Sequence, residues 1–124
     1  MHKSRDEIAK SFELPEVICR AEDWADMHVS CEVYQQAMDD RPFLQGLPNN
    51  QCHRPHWGYV IKGKFRVLYQ DHEEDVLANE AYYLTPGHSI VVDAGTELIE
   101  FSPRQQCADY MQAGDEDVKA RSQG

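Results

Sequence analysis

The sequence predicts an all-β fold, an antiparallel sandwich or barrel, and three observations carry that prediction. Short runs rich in β-branched and aromatic residues recur about every 8–12 positions, turn residues punctuate them, and no long helical periodicity lies between them. The clearest run is Asp26 to Gln36, where Met27, Val29, Cys31 and Val33 alternate onto one face.

In chain order, Ser4 with Glu7 three residues later makes a capping-box pattern, and Ile8 and Phe12 give it a narrow apolar stripe. A short N-terminal helix over Ser4 to Phe12 is expected. After Pro15, Glu16 to Ile18 reads as an edge strand, followed by the alternating strand just described. Met38 to Asn50 carries two prolines, a glycine and two asparagines, and reads as a loop with a single turn at Phe43 to Gly46. Trp57 to Ile61 and Phe65 to Tyr69 are two strands around Lys62-Gly63-Lys64, the pattern of a β-hairpin. Asp71 to Asp75 is a polar turn, Val76 and Leu77 begin a short strand, and Asn79-Glu80 turns into a strand over Ala81 to Leu84. Thr85-Pro86-Gly87 ends that strand, and Ile90 to Val92 and Leu98 to Phe101 are strands separated by Asp93 to Thr96. From Pro103 the spacing of Cys107, Tyr110 and Met111 predicts a short C-terminal helix and tail.

The chain has 124 residues with 41% hydrophobic content, enough for one domain with one core: a core of about 27–103, an N-terminal arm 1–26 and a tail 104–124. Its apolar runs are short and its first twenty residues are charged, so neither a membrane span nor a secretory leader is expected, and the reading is cytoplasmic. Cys19, Cys31, Cys52 and Cys107 form no close pair and should remain thiols there. A net charge of −10 with no basic cluster argues against nucleic acid and anionic lipid as partners.

Chemistry concentrates in Asn49 to Tyr69. Cys52, His53 and His56 precede or open a strand, and thiolate with imidazole is a donor set for a divalent metal, zinc first, with iron or nickel as alternatives. Strand alternation places His56, Gly58 and Val60 on one face and Trp57, Tyr59 and Ile61 on the other. Gly58 leaves space beside the imidazole, so Gly58 and Val60, with Tyr82, are candidates to line a pocket. His88, in Pro86-Gly87-His88, belongs at a barrel rim and is a fourth candidate ligand. Glu100 is a possible further ligand or acid–base group, facing opposite to Ile99 and Phe101. His2, His28 and His72 read as surface residues.

From Met27 to Pro103 the pattern resembles the cupin superfamily. The first cupin motif, G-x5-H-x-H-x3-4-E-x6-G, anchored on Gly63, puts His56 at its glutamate, Cys52 at its second histidine and Asn50 at its first, with His53 one place out of register. The second, G-x5-P-x-G-x2-H-x3-N, matches at Gly87, with Asn79, Thr85, Ile90 and Ala94 at its other named positions and His88 two residues before its histidine. The resemblance implies a jelly-roll barrel, a double-stranded β-helix with short terminal helical segments, whose metal site is rewritten as Cys/His. It implies a small-molecule ligand in the barrel and a homodimer formed through a sheet edge or face. Two functions lead: a metal-binding cupin acting on or binding a small organic molecule, or a non-catalytic small-molecule-binding or sensing module without metal; the histidine and cysteine clustering argues against a third, a purely structural or interaction domain. Whether the protein is an enzyme is left open, since no carboxylate pair, activated nucleophile or phosphate loop decides it.

Overall fold

Ten strands account for most of residues 1–105, the part of the chain that the computed structural model describes. They are β1 (Lys10–Glu13), β2 (Val17–Trp24), β3 (Met27–Tyr34), β4 (Met38–Asp39), β5 (His56–Lys62), β6 (Lys64–Tyr69), β7 (Glu73–Leu77), β8 (Ala81–Leu84), β9 (His88–Val92) and β10 (Glu97–Pro103). A six-stranded sheet runs β1-β2-β3-β10-β5-β8, a four-stranded sheet runs β4-β9-β6-β7, and every pairing is antiparallel. The expected all-β jelly roll is what the chain forms.

Its elements differ from the sequence reading in instructive ways. The strands flanking Gly63 do not pair: β5 lies between β10 and β8, while β6 lies between β7 and β9. Gly63 is a corner between sheets, not a hairpin turn. It has φ +82°, and a Cβ there would stand 2.4 Å from Thr96 Oγ1 and 2.6 Å from its Cα, so conformation and space both require glycine. The N-terminal helix is a single 3-10 turn at Arg5–Glu7, with Ser4 Oγ donating to Glu7 at 2.9 Å, after which the chain extends into β1. A two-residue apolar stripe does not hold a longer helix against an available strand partner. The Glu16 to Ile18 edge strand is the start of an eight-residue strand, β2, paired on both sides. The acidic stretch is a strand from Glu73, where Arg66 on β6 pairs with Asp75 at 3.1 Å and with Glu73 at 3.8 Å. The loop after β3 contains β4 and two 3-10 turns, Arg41–Leu44 and Pro48–Asn50. The helix read from Cys107, Tyr110 and Met111 lies outside the described residues.

The main core fills one end of the barrel between the sheets, with Val60, Phe65, Val67, Val92 and Leu98 each no more than 2% exposed. A second cluster covers the opposite face of the larger sheet: Ile8 packs on Val29 and Cys31, flanked by Trp24, Ile99 and Phe101. The apolar face of β3 read from the sequence is therefore this outer one. Its inner face carries His28, Ser30, Glu32 and Tyr34, which line the cavity in the barrel. His28 is not a surface residue, because the arm that seals the outer face leaves the inner one to the polar set. No helix among the described residues is long and apolar enough to cross a membrane.

Candidate metal centre

Three side chains meet inside the barrel because three backbone features deliver them. The Thr85-Pro86-Gly87 turn, with Gly87 at φ +92°, hands the chain to β9 with His88 facing inward. The loop before β5 is clipped to that point by a one-residue bridge, Cys52 N–H to His88 O at 2.7 Å and His88 N–H to Cys52 O at 3.1 Å. His56 opens β5 on the face it shares with Val60, opposite the exposed Trp57, Tyr59 and Ile61. The outcome is a cluster of Cys52, His56 and His88, all buried, whose donor atoms lie within 4.8 Å of one another.

Hydrogen bonds fix both imidazoles. His88 Nδ1–H donates to the Thr85 carbonyl at 2.7 Å, which leaves Nε2 with a free lone pair. His56 Nδ1–H donates to Ser102 Oγ at 2.5 Å, with Glu100 Oε2 at 3.4 Å behind it, and its Nε2 faces Cys52 Sγ at 3.4 Å. The rings meet edge to face with centroids 5.1 Å apart. Burial holds His56 well below the ordinary histidine range, helped by the Arg54 guanidinium, and burial with His56 beside it takes His88 down to about 4. Both rings are neutral near pH 7, the form that binds metal. Burial pushes the Cys52 thiol up, with Arg54 opposing it.

These residues fit a divalent ion. Imidazole nitrogens and a sulfur are the ligands zinc takes, and tying the second ring nitrogen to a carbonyl, a hydroxyl or a carboxylate is the support that ligating histidines usually have. Glu100 supplies that outer support while also accepting from Tyr82 OH at 2.9 Å. It faces inward although Ile99 and Phe101 are also covered, because the N-terminal arm shields their side.

His53 stands apart: it is exposed, and its Nε2 bonds the Pro48 carbonyl at 2.6 Å. Neighbouring residues in extended chain point to opposite sides, and Cys52 takes the inner one. Gly58, Val60 and Tyr82, expected to line a pocket, are not among the residues on the wall of this cavity, and Val60 and Tyr82 belong to the apolar core. A Cβ on Gly58 would stand 2.4 Å from Tyr82 Cζ, so the glycine accommodates the tyrosine ring.

Beside the cluster is a cavity of about 100 Å³, larger than the 10–15 Å³ or so that one water needs. Glu32, Asp40 and Arg54 on its wall were missed from the sequence. Glu32 accepts from Tyr34 OH at 2.5 Å and from Ser30 Oγ at 2.9 Å, and burial, with Glu100 nearby, pushes it up to about 7. Asp40, 8% exposed, is pushed up to about 7 by burial and the acidic Asp39, Glu32 and Glu100, while accepting from Ile90 N–H at 2.8 Å opposes the rise. The period-2 spacing of His28, Ser30, Glu32 and Tyr34 was the available signal, hidden by the apolar set alternating with it.

Two stacked antiparallel sheets enclosing a Cys/His cluster and a cavity define a jelly roll with an interior cavity. No protein-family model matches the sequence, and no curated protein matches it. Solved structures do. An RmlC-like cupin from Shewanella frigidimarina NCIMB 400 aligns with TM-score 0.59 at 11% identity, over 82% of this chain and 88% of that one. KdgF from Halomonas sp. aligns with TM-score 0.57 at 20% identity, over 82% and 93%. The polyketide cyclase RemF from Streptomyces resistomycificus aligns with TM-score 0.60 at 15% identity, over 84% and 79%. The chain is a small cupin-fold protein.

Proposed function

We propose that this protein binds one divalent metal ion, zinc first and iron or nickel next, through Cys52, His56 and His88, and acts on or binds a small organic molecule in the adjoining cavity. The observation that carries the reading is the cluster itself: three buried donors within 4.8 Å, two of them neutral imidazoles whose second nitrogens are already bonded. Cys52, His56 and His88 would hold such an ion, and when bound it would supply Lewis-acid chemistry to a ligand in the cavity. The chain's own residues orient the site: Ser102 and Glu100 hold the His56 ring and the Thr85 carbonyl holds His88. Arg54, Glu32 and Asp40 provide charge and hydrogen bonds at the cavity wall.

One observation favours a metal-free binding module instead. The 3.4 Å contact of Cys52 Sγ with His56 Nε2 lets the thiol donate to the imidazole, so two of the three donors satisfy each other without an ion. Elemental analysis of protein purified without chelator separates the readings. One equivalent of metal is expected in the wild type and in His53→Ala, with large losses in Cys52→Ser, His56→Ala and His88→Ala. Metal-free wild type, or full occupancy in all three cluster variants, overturns the metal reading.

A further inference from the structure

The carboxylates of the cavity are not equally provided for. Glu32 has a hydroxyl on each oxygen, from Tyr34 and Ser30, and Glu100 has the Tyr82 hydroxyl and the His56 ring. Asp40 has one partner only. Its Oδ1 accepts from the Ile90 N–H, and Oδ2 has neither a hydrogen bond nor an ion pair among the described residues. It is nonetheless 8% exposed and faces the cavity. Its second oxygen is therefore open to the cavity, where a cation or a hydrogen-bond donor would find an acceptor already in place. On the cavity wall three acids, Glu32, Asp40 and Glu100, stand with one guanidinium, Arg54, so carboxyl groups that can accept from or pair with a cation outnumber the protein's own cation there.

The surroundings select among the cations that would answer this. Phe12, Met38 and Phe43 line the same cavity, and a hydrated inorganic ion would have to surrender water against those apolar walls. An organic ammonium keeps its alkyl part on them and places its charge on the carboxylate, with aromatic faces nearby adding attraction. An anion would meet three acids. The position is also suited to a ligand that reaches the cluster: Asp40 is bonded to Ile90, two residues along β9 from His88, about 6–7 Å of strand.

We infer that the cavity takes a small organic amine whose ammonium group pairs with Asp40 while its carbon chain lies against Phe12, Met38 and Phe43. This rests on the reading that the cavity holds a small organic molecule, and it names the class.

The test is a calorimetric titration of the purified, full-length protein with three probes of similar size, n-butylamine, n-butanol and butyrate. Butylamine is expected to bind at least tenfold more tightly than the other two, and its binding is expected to shift the Ile90 amide resonance. Asp40→Asn keeps an oxygen for the Ile90 N–H and removes the charge, so it is expected to abolish the preference while metal content stays unchanged. Butanol or butyrate binding as tightly as butylamine overturns the amine class and leaves the small-molecule reading standing. That comparison needs no variant, so it decides the matter even if Asp40→Asn does not fold. No heat from any probe with metal in place also overturns the class, as does full butylamine affinity in a folded Asp40→Asn. Failure of the metal reading shows separately, as protein without metal that still prefers butylamine.

Discussion

Gly58→Ala is a small change placed where the barrel has no room for it. A Cβ there would stand 2.4 Å from Tyr82 Cζ, 2.4 Å from its hydroxyl oxygen and 2.6 Å from the Ile99 carbonyl oxygen, against about 3.5–4.0 Å for a comfortable contact. None of these neighbours is a loose end. The Tyr82 ring packs edge-on to Phe65 with centroids 5.0 Å apart, its hydroxyl holds Glu100 at 2.9 Å, and Ile99 belongs to the strand beside β5. Gly58 does not have positive φ, so alanine suits its backbone and gains about 0.4–1 kcal/mol by restricting the unfolded chain. Overpacking costs about 1–3 kcal/mol, and overlaps this deep with ordered atoms place the cost at the upper end, so net destabilisation of about 2 kcal/mol is expected. Urea unfolding should show a lower midpoint at unchanged slope. Displacing Tyr82 also disturbs Glu100 and through it His56, so metal affinity should fall together with stability. Adding Tyr82→Leu should restore part of the loss relative to additivity. A midpoint equal to the wild type, or strict additivity in the double variant, would refute the account of Gly58 as space for the tyrosine.

Three further outcomes are expected. Because Cys52 must bind as thiolate, loading zinc near pH 7 should release a proton to the buffer and affinity should fall as pH falls, whereas pH-independent affinity would remove Cys52 from the site. For metal-free protein, the folded Asp40 carboxyl titrates near 7 against an ordinary value of 3.8, so the folded state holds its proton more tightly than the unfolded state. Stability from this group is therefore lost as pH rises from about 4 to 7, and Asp40→Asn should be more stable than wild type at pH 8, with the difference closing towards pH 4; a pH-independent difference in urea unfolding contradicts that. Trp57, Tyr59, Ile61, Leu77 and Tyr83 are exposed, Trp57 stacking on Tyr83 at 5.0 Å, and a homodimer formed through this face should give twice the 14.3 kDa chain mass in light scattering, reduced by Trp57→Lys; a monomer at micromolar concentration sinks it.

Much of the strand content was legible because it depends on near neighbours. Alternation in β3 and β5, the breaks at Gly63 and Gly87 and the turn at Asn79 are local signals, and their positions agree with the strands formed. Pairing was not legible, because it depends on distant residues. Two strands with a glycine between them look alike whether the chain folds back on itself or turns a corner, and the choice at Gly63 is made with Thr96, thirty-three residues away.

The site was legible for the same kind of reason, and in the same measure. Cys52 and His56 sit close in sequence, and a histidine after Pro-Gly is placed by the turn, so the donor types announced the cluster. The far wall was hidden because alternation tells which residues share a face and not which face is enclosed. In most half-buried strands the apolar face is the inner one. Here β3 and β10 are covered on both sides, Val29 and Cys31 by Ile8 of the arm, and Ser30, Glu32 and Glu100 by the facing sheet. When both faces of a strand are covered, hydrophobicity no longer identifies the interior, and polar residues at period 2 become the stronger clue, because each needs partners to be tolerated there. In this chain those partners are one another, with Ser30 and Tyr34 on Glu32 and Tyr82 and His56 on Glu100, while Asp40 takes its one hydrogen bond from the Ile90 backbone and so could not have been matched to a partner by side-chain spacing.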